Sequence, residues 1–243
     1  MQDVKLLTDE YIEDLQFDGL HIILSKSLPS FTTDAVLLSD FARVKKTDNA
    51  ADLGTGTGIL PLLMHGRYGM KMTAFELQPK LCDMARRSFL LNGLDEILTA
   101  VNMDCREAYR EYNGVFSAIV CNPPYFSGGL NSCNFERSLT RSQVDADLND
   151  FLTAAKRLLK SGGRFYCCYP AKQLTELLYF MRANALEPKC LRFVKSTPSN
   201  PPYLVLVEAR KDGGHELSFM PDLVICDENG NETDEIRKIY HRC

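Results

Sequence analysis

Asp52-Leu53-Gly54-Thr55-Gly56-Thr57-Gly58 is the stretch of sequence that decides the fold. It ends a short apolar run that begins at Asn49, and it leads into a run with helical periodicity that reaches Tyr68. Glycines on alternate positions allow a tight turn between a buried strand and a helix, because glycine adopts left-handed backbone conformations without steric cost. The stretch therefore predicts the first βα unit of a doubly wound α/β sheet.

The same unit recurs along the chain. Alternating patterns predict strands at 49–53, 71–76, 98–103, 116–121 and 164–169, and helices at 58–68, 79–92, 147–159 and 171–184. Two further β-rich runs, 190–195 and 203–209, are separated by a proline-rich loop that is too short for a parallel crossover. We therefore predict a Rossmann-like, seven-stranded, mostly parallel sheet with an antiparallel closing strand.

The flanking segments are expected to belong to the same single domain, residues 1–243. In the N-terminal extension, 1–30, the runs 15–17 and 20–24 flank Asp18-Gly19, which has the chemistry of a two-residue hairpin turn. A helix is predicted from Ala35 to Ala42, and the C-terminal tail, 210–243, is expected to pack on the core.

Composition favours an ordinary globular protein that needs neither metal nor disulfides. The net charge of −4 argues against nucleic-acid binding by bulk charge, so any such binding requires a local patch. The nine cysteines show no C-x-x-C spacing, and the four histidines do not pair with them, which predicts free thiols and no metal site. The N-terminus lacks a signal peptide and no apolar run reaches membrane-spanning length, so we expect a cytoplasmic protein with no membrane partner, a monomer being favoured.

The glycine-rich turn also carries the first chemical signal. A nicotinamide-binding fingerprint would need its third glycine at position 59, where the chain has Ile59. Asp52 would repel a pyrophosphate but attract a ligand that carries an ammonium and a sulfonium group. The turn therefore predicts a site for S-adenosylmethionine (SAM), with a purely structural turn as the alternative.

Other candidate cofactor residues follow later strands. Glu76 lies about twenty residues beyond the glycines, where a carboxylate accepts the ribose hydroxyls of a nucleotide cofactor. Asp104 could accept from the adenine amine, and Met103 could supply backbone or apolar contact; a helix N-cap at Asp104 is the alternative, and the two roles are compatible. Thr33-Asp34 could touch the methionine end of SAM or only cap a helix.

Asn122-Pro123-Pro124-Tyr125 follows the fourth predicted strand of the sheet, which should lie beside the first. Two prolines stiffen the backbone and aim the Asn122 side-chain oxygen and the Pro123 carbonyl at one point. Such acceptors suit a planar –NH₂ group and stabilise the cationic nitrogen of a transition state more than the ground state. Tyr125 would stack on a flat target and Phe126 would extend that platform. The alternative is a loop breaker without a chemical role.

The paired motifs Asp-x-Gly-x-Gly-x-Gly and Asn-Pro-Pro-Tyr resemble those of amino-group methyltransferases. With 33–38, Phe126 and the tail from Asp227 to Tyr240, the chain is similar over nearly its whole length to the bacterial tRNA adenine N6-methyltransferases that modify adenine 37 of a valine tRNA. The resemblance implies transfer of a methyl group from SAM to the N6 amine of an adenine in tRNA. It also implies that a SAM site is lined by Asp52, Gly54, Gly56, Glu76, Asp104 and Asn122, and that the target adenine is held by Asn122, Pro123 and Tyr125. The candidate sets combine these residues with those proposed above. The candidate cofactor-binding set is Thr33, Asp34, Asp52, Gly54, Thr55, Gly56, Gly58, Glu76, Leu77, Met103, Asp104 and Asn122. The candidate catalytic set is Asn122, Pro123, Pro124 and Tyr125.

The substrate-binding set is Tyr125, Phe126 and Arg141. Members of the family often carry an Ala-Arg-His-Glu-like run after the Asn-Pro-Pro-Tyr loop, and here only Arg141 of that run carries over. The polar stretch 127–143 is a candidate lid or a plain surface loop. Two other functions stay open: methylation of a protein glutamine at N5, and SAM binding by an RNA adaptor without catalysis.

Overall fold

A nine-stranded sheet forms the centre of the computed structural model, which describes residues 2–28, 32–124 and 146–241. The strands are β1 (Glu10–Asp14), β2 (His21–Ser25), β3 (Asn49–Leu53), β4 (Lys71–Glu76), β5 (Leu98–Asn102), β6 (Phe116–Cys121), β7 (Leu159–Pro170), β8 (Leu186–Lys195), β9 (Leu204–Lys211), β10 (Ser218–Phe219) and β11 (Leu223–Val224). The helices are α1 (Thr33–Phe41), α2 (Ile59–Tyr68), α3 (Pro79–Leu91), α4 (Tyr109–Tyr112), α5 (Leu148–Leu158), α6 (Leu174–Ala183) and α7 (Asp234–Ile239).

The strand order of the sheet reverses between β3 and β6. From β3 the chain moves through β4 to β5 on one side, and then returns so that β6 pairs with the other edge of β3. All of these pairs are parallel, so the strands point their carboxyl ends at the same edge. The reversal creates a crevice between the carboxyl ends of β3 and β6, which is where open α/β sheets bind ligands.

Helices cover both faces of the sheet and bury it. The β1–β2 hairpin, α1, α2 and α3 pack with one face, where buried side chains include Leu37, Leu62 and Tyr166. On the opposite face α5 and α6 contribute Phe151 and Leu177. All six residues of β6 are buried, as expected for a parallel strand covered on both sides.

The predicted α/β fold is confirmed. The seven strands β3 to β9 correspond to the predicted sheet, and β9 runs antiparallel to both β7 and β8. The connection between β8 and β9, residues 196–203, therefore lies at the same edge as the carboxyl ends of the parallel strands. Two features were not predicted: the short helix α4, and the two-residue strands β10 and β11, which the tail adds alongside β8.

Two predicted boundaries were wrong for tertiary reasons. The first strand of the hairpin ends at Asp14, and Leu15–Phe17 belongs to the loop, because the Phe17 side chain turns into the core. The predicted helix 147–159 and strand 164–169 leave Gly162-Gly163 in the connection between them, but β7 already begins at Leu159 and runs through both glycines. It does so with an irregular register against β6, which absorbs the extra residues as a bulge.

The C-terminal tail packs against the helices that cover one face of the sheet. Ile236 and Ile239 of α7 are buried in the same core cluster as α1 and α2. The Arg67 guanidinium of α2 donates to the Ile239 carbonyl at 2.7 Å and to the Asp40 carboxylate at 3.2 Å, and it stacks over the Phe17 ring. Arg67 thus connects the hairpin, α1, α2 and α7.

Gly66 tests how closely the hairpin packs on α2. A Cβ at this position would lie 2.5 Å from the Phe17 ring and 3.0 Å from Leu20. Alanine inside a helix normally stabilises it by about 1 kcal/mol relative to glycine. We expect Gly66→Ala instead to lower the free energy of unfolding by about 1–3 kcal/mol, because the added methyl overpacks the contact. Urea denaturation measures it.

The double variant Gly66→Ala with Phe17→Leu is the control. It is expected to be more stable than the sum of the two single changes predicts, because the smaller side chain makes room for the methyl. Strict additivity, or a stabilising Gly66→Ala, would show that Phe17 does not pack on this helix.

Candidate active site

The glycine-rich turn is fastened to the neighbouring strand. The backbone N–H groups of Gly54 and Thr55 both donate to the Phe75 carbonyl of β4, at 2.9 and 3.0 Å. Gly54, Gly56 and Gly58 all have positive φ angles, of 76°, 58° and 91°. These bonds and dihedral angles hold the turn in one conformation between β3 and α2.

The glycines of the turn serve different purposes. A Cβ at Gly58 would lie 2.8 Å from the Phe89 ring, so this glycine lets α2 pack closely on α3. A Cβ at Gly54 would lie 3.3 Å from Phe151 of α5. At Gly56 a Cβ would meet no atom within 4 Å from the described residues beyond its chain neighbours. Gly56 therefore leaves open space over the crevice, as a bound ligand requires.

Asp52, the acid before the first glycine, is fully buried. Among the described residues, neither the carboxylate oxygens nor the nearby Thr55 hydroxyl has a partner within hydrogen-bonding geometry. Burial raises the pKa of Asp52 to about 7; the Thr55 hydroxyl opposes the rise, and the negative charge of Glu76 adds to it. An unpaired buried carboxylate is costly unless a cation compensates it. The residues present therefore fit a cationic ligand, such as the methionine end of SAM.

Glu76, at the end of the neighbouring strand β4, accepts a hydrogen bond from the glycine-rich turn. Its two carboxylate oxygens accept from the backbone N–H groups of Gly56 and Gln78, at 2.8 and 2.9 Å. Burial raises the pKa of Glu76 despite these donors. Asn102, which sequence reasoning missed, donates from Nδ2 to the carbonyls of Glu76 and Leu77, both at 2.9 Å. The exposed Leu77 side chain follows directly and offers an apolar surface.

Asp104 has a partner that the sequence did not reveal. The Arg106 guanidinium binds its carboxylate at 2.6 to 3.0 Å and also reaches Asp150, 3.6 Å away at the start of α5. Hydrogen bonds from Arg106 hold the pKa of Asp104 below its ordinary value, although burial opposes them. Asp104 is therefore ionised and fixed, but it is not the N-cap of α4. Met103 is partly buried, and its N–H donates to the Glu76 carbonyl.

Asn122-Pro123-Pro124 leaves the end of β6, directly beside β3. Asn122 is partly buried, Pro123 is buried and Pro124 is exposed. The Asn122 side-chain oxygen accepts from the Cys168 thiol of β7 at 3.1 Å. The prolines thus carry the chain from the core to the surface at the crevice. Tyr125, Phe126, Arg141 and the stretch 127–143 lie outside the described residues.

Thr33 and Asp34 occupy the first turn of α1. Thr33 is exposed, Asp34 is half-buried, and the Thr32 side chain makes no capping hydrogen bond to the helix. Burial raises the pKa of Tyr203 to about 12, and the Asp34 carboxylate is the next largest cause. Since Tyr203 directly precedes β9, Asp34 lies near the edge of the sheet that carries the crevice.

The structure brings together Asp52, the glycine-rich turn and Glu76, and it places Asn122 directly after β6, the strand beside β3. Across the described ranges, no group of three or more His, Cys, Asp or Glu side chains is arranged to hold a metal ion. Among those same residues, no helix has the length and apolarity needed to cross a bilayer.

The fold and the site define a class: a methyltransferase that takes its methyl group from SAM. The sequence model of the methyltransferase small domain matches residues 31–181. The chain therefore belongs to the methyltransferase small domain family.

Curated relatives match most of the chain. A protein of Aliivibrio fischeri named tRNA1(Val) (adenine(37)-N6)-methyltransferase is 28% identical over 91% of this chain and 93% of its own length. A protein of Parabacteroides distasonis with the same name is 26% identical over 79% of this chain and 81% of its own.

Solved structures share the fold. A predicted O-methyltransferase from Agrobacterium tumefaciens superposes with a TM-score of 0.71 at 20% identity, covering 86% of this chain and 96% of that one. TYW2 of P. horikoshii in complex with MeSAdo gives 0.60 at 17% identity, covering 84% and 72%. At these identities the likeness establishes the architecture alone.

Asp52 makes SAM affinity depend on pH. With a pKa of about 7, the carboxylate is roughly one-tenth ionised at pH 6 and nine-tenths ionised at pH 8. Because the ionised form attracts the cation, we expect the dissociation constant of SAM to fall by about tenfold from pH 6 to pH 8. Calorimetric titration measures it. Asp52→Asn serves as the control, since its remaining pH dependence reports Glu76 and the amine of SAM itself.

The ionised Asp52 carboxylate should also lower the free energy of unfolding of the protein without SAM. Its pKa is raised from 3.8 to about 7 on folding, so its stabilising contribution is complete below pH 3.8 and is lost as the pH rises through about 7. At pH 8 we therefore expect Asp52→Asn to increase the free energy of unfolding by about 1–3 kcal/mol, since a buried unpaired charge disappears. Urea unfolding at pH 8 and pH 5 tests this. An equal gain at both values would contradict it.

Proposed function

We propose that this protein transfers a methyl group from SAM to the N6 amine of an adenine in tRNA, at adenine 37 of a valine tRNA. The observation that carries the proposal is the position of Asn122-Pro123-Pro124, one strand from the unpaired Asp52 carboxylate. The names of relatives that align with nine-tenths of the chain supply the substrate class.

Bound SAM supplies an activated methyl group on a sulfonium, so the protein needs no strong base or covalent intermediate. Asp52 and the turn at Gly56 hold the charged end, and Glu76 accepts the ribose hydroxyls. Leu77 and Met103 provide apolar contact for the adenine of the cofactor, and Asp104 is the acceptor available to its amine. This division follows the order of the strands, since the three groups of residues lie at the carboxyl ends of β3, β4 and β5.

Asn122 acts on the target nitrogen. The exocyclic amine of adenine is a poor nucleophile because its lone pair is delocalised into the ring. The Asn122 oxygen and the Pro123 carbonyl accept its two hydrogens, which favours the tetrahedral, cationic geometry reached during transfer. The nitrogen–carbon bond forms as the carbon–sulfur bond breaks, and the nitrogen then releases a proton to water. Tyr125 provides the stacking surface, so the base must leave any helical stack first.

Asn122→Ala tests the role of the acceptor. We expect the turnover number on unmodified valine tRNA to fall at least about 100-fold, because a preorganised transition-state contact is lost. The SAM dissociation constant should stay within about tenfold, since most cofactor contacts remain. Radiolabelled SAM with nuclease digestion to nucleosides identifies N6-methyladenosine.

Asn113→Ala is the matched control, since Asn113 is exposed and precedes β6 at the opposite edge of the sheet. It should retain full activity. A transcript with guanine at position 37 should accept no label. Label on a peptide-release factor would instead indicate glutamine N5 methylation, and SAM binding with no transfer to any of these would indicate an adaptor.

A further inference from the structure

Tyr203 is an aromatic residue that the fold leaves 43% exposed at the carboxyl edge of the sheet, immediately before β9. Its backbone is held by two neighbours. Its N–H donates to the Val194 carbonyl of β8, and its carbonyl accepts from the Ala171 N–H after β7, both at 3.0 Å. Pro201 and Pro202 precede it and restrict the backbone further. Tyr203 is therefore an exposed ring on a fixed backbone.

The strand register separates Tyr203 from the candidate acceptor. Asn122 directly follows Cys121, which pairs with Cys167 of β7. Tyr203 instead bonds to Ala171, which lies beyond the end of β7. From the spacing of strands and the rise per residue, Tyr203 lies about 10 Å across the sheet from Asn122 and about 10 Å further out along the strands. A single base cannot span this separation, so a nucleotide at Tyr203 is a different one from the target.

A basic residue lies next to Tyr203 in the fold. Lys172 is exposed in the 3₁₀ turn Ala171–Gln173, one residue from the N–H group that the Tyr203 carbonyl accepts. In the part of the chain that the structure describes, Lys172 belongs to no ion pair, whereas Lys195 at the end of β8 binds the Asp222 carboxylate at 2.8 Å. The charge of Lys172 is therefore available to an anion from outside the protein.

An exposed aromatic ring beside an available cation is the combination that binds unpaired nucleic acid. Stacking accepts any base, because every base has a π face, and an ammonium group attracts the neighbouring phosphate. The net charge of −4 gives the protein no general attraction for RNA, so affinity must come from local contacts of this kind.

We propose that Tyr203 and Lys172 form a second RNA contact, in which Tyr203 stacks on an unpaired nucleotide near the target adenine and Lys172 binds an adjoining phosphate. The inference rests on the proposed function for the identity of the RNA. It adds the residues that hold the anticodon loop outside the pocket for the target adenine. Neither residue touches the target amine, so both act on RNA affinity.

Binding of RNA in the absence of SAM tests the ring. The probe is an unmodified valine tRNA transcript labelled with fluorescein, and anisotropy measures its dissociation constant. We expect Tyr203→Ala to raise this constant about 10-fold or more, as loss of one base–aromatic stack implies. Tyr203→Phe keeps the ring and should bind as the unsubstituted protein does. Tyr203→Leu retains apolar packing without an aromatic face, so it should lose as much affinity as Tyr203→Ala even if the alanine variant folds poorly.

Phe219→Ala is the matched control for the ring. Phe219 is 66% exposed on β10, at the outer edge of the sheet, so its loss removes a comparable aromatic surface elsewhere. RNA affinity should not change in this variant. Equal losses in Phe219→Ala and Tyr203→Ala, or full affinity in Tyr203→Leu, would overturn the proposal.

Salt dependence tests the charge of Lys172. We expect Lys172→Ala to reduce the slope of log affinity against log salt concentration by about 0.7, the contribution of one phosphate contact on a single strand. Tyr203→Ala should leave the slope unchanged, because stacking releases no counterions. Lys71→Ala is the control, since Lys71 is exposed at the start of β4, on the opposite edge of the sheet. An unchanged slope in Lys172→Ala, or the same change in Lys71→Ala, would contradict the contact.

Abasic nucleotides locate the stacked base. Each nucleotide of the anticodon loop other than the target adenine is replaced in turn, and the unsubstituted protein and Tyr203→Ala are titrated with each RNA. At one position the two changes should not add, because both remove the same contact. Additive losses at every position would reject the stack.

These binding measurements require no methyl transfer, so the inference and the proposed function fail separately. If N6-methyladenosine forms at position 37 while Tyr203→Ala and Lys172→Ala bind tRNA normally, the inference is wrong and the proposed function stands. If both variants bind tRNA weakly but the unsubstituted protein transfers no methyl group to adenine 37, the RNA contact stands and the proposed function is rejected.

Discussion

Asp52, a buried carboxylate that lacks a hydrogen-bond partner in the described part of the chain, is the constraint on which the rest of the site depends. It is tolerated because the sheet around it is rigid: the backbone of the following turn is bonded to Phe75, and helices seal both faces. A residue that the fold leaves uncompensated is an attachment point for a cation. The buried charge therefore destabilises the folded protein when no cofactor is bound, and cofactor binding removes this destabilisation. One side chain thus links stability and function.

The doubly wound topology brings the proposed site of the methyl donor next to that of the methyl acceptor. The donor site consists of the turns after β3, β4 and β5, and the acceptor site begins with Asn122 after β6. Because the strand order reverses between β3 and β6, residues seventy positions apart in sequence end neighbouring strands. No hinge is needed to align them, since both strands are fixed in the same hydrogen-bonded ladder.

The sequence predicted best those features that follow from the conformational preferences of the backbone itself. Alternate glycines permit left-handed dihedral angles and paired prolines restrict φ whatever surrounds them, so the turn and the Asn122 segment could be located from residue types alone. Predictions failed where distant contacts decided the outcome, as for Phe17, which leaves its strand to enter the core. The partners of Asp104 and Asn122, namely Arg106 and Cys168, have no sequence signature, because a salt bridge or thiol bond depends on local turn geometry or strand register.

The antiparallel strand β9 divides the carboxyl edge of the sheet into two unlike parts. On one side β3, β4 and β7 lead through short connections into α2, α3 and α6, so the geometry of these connections tolerates little variation. On the other side the edge is formed by the hairpin connection 196–203, which can change in length or composition without disturbing any strand pairing. Proteins with this fold can therefore change their methyl-acceptor substrate by altering a surface loop while the site of the methyl donor stays the same.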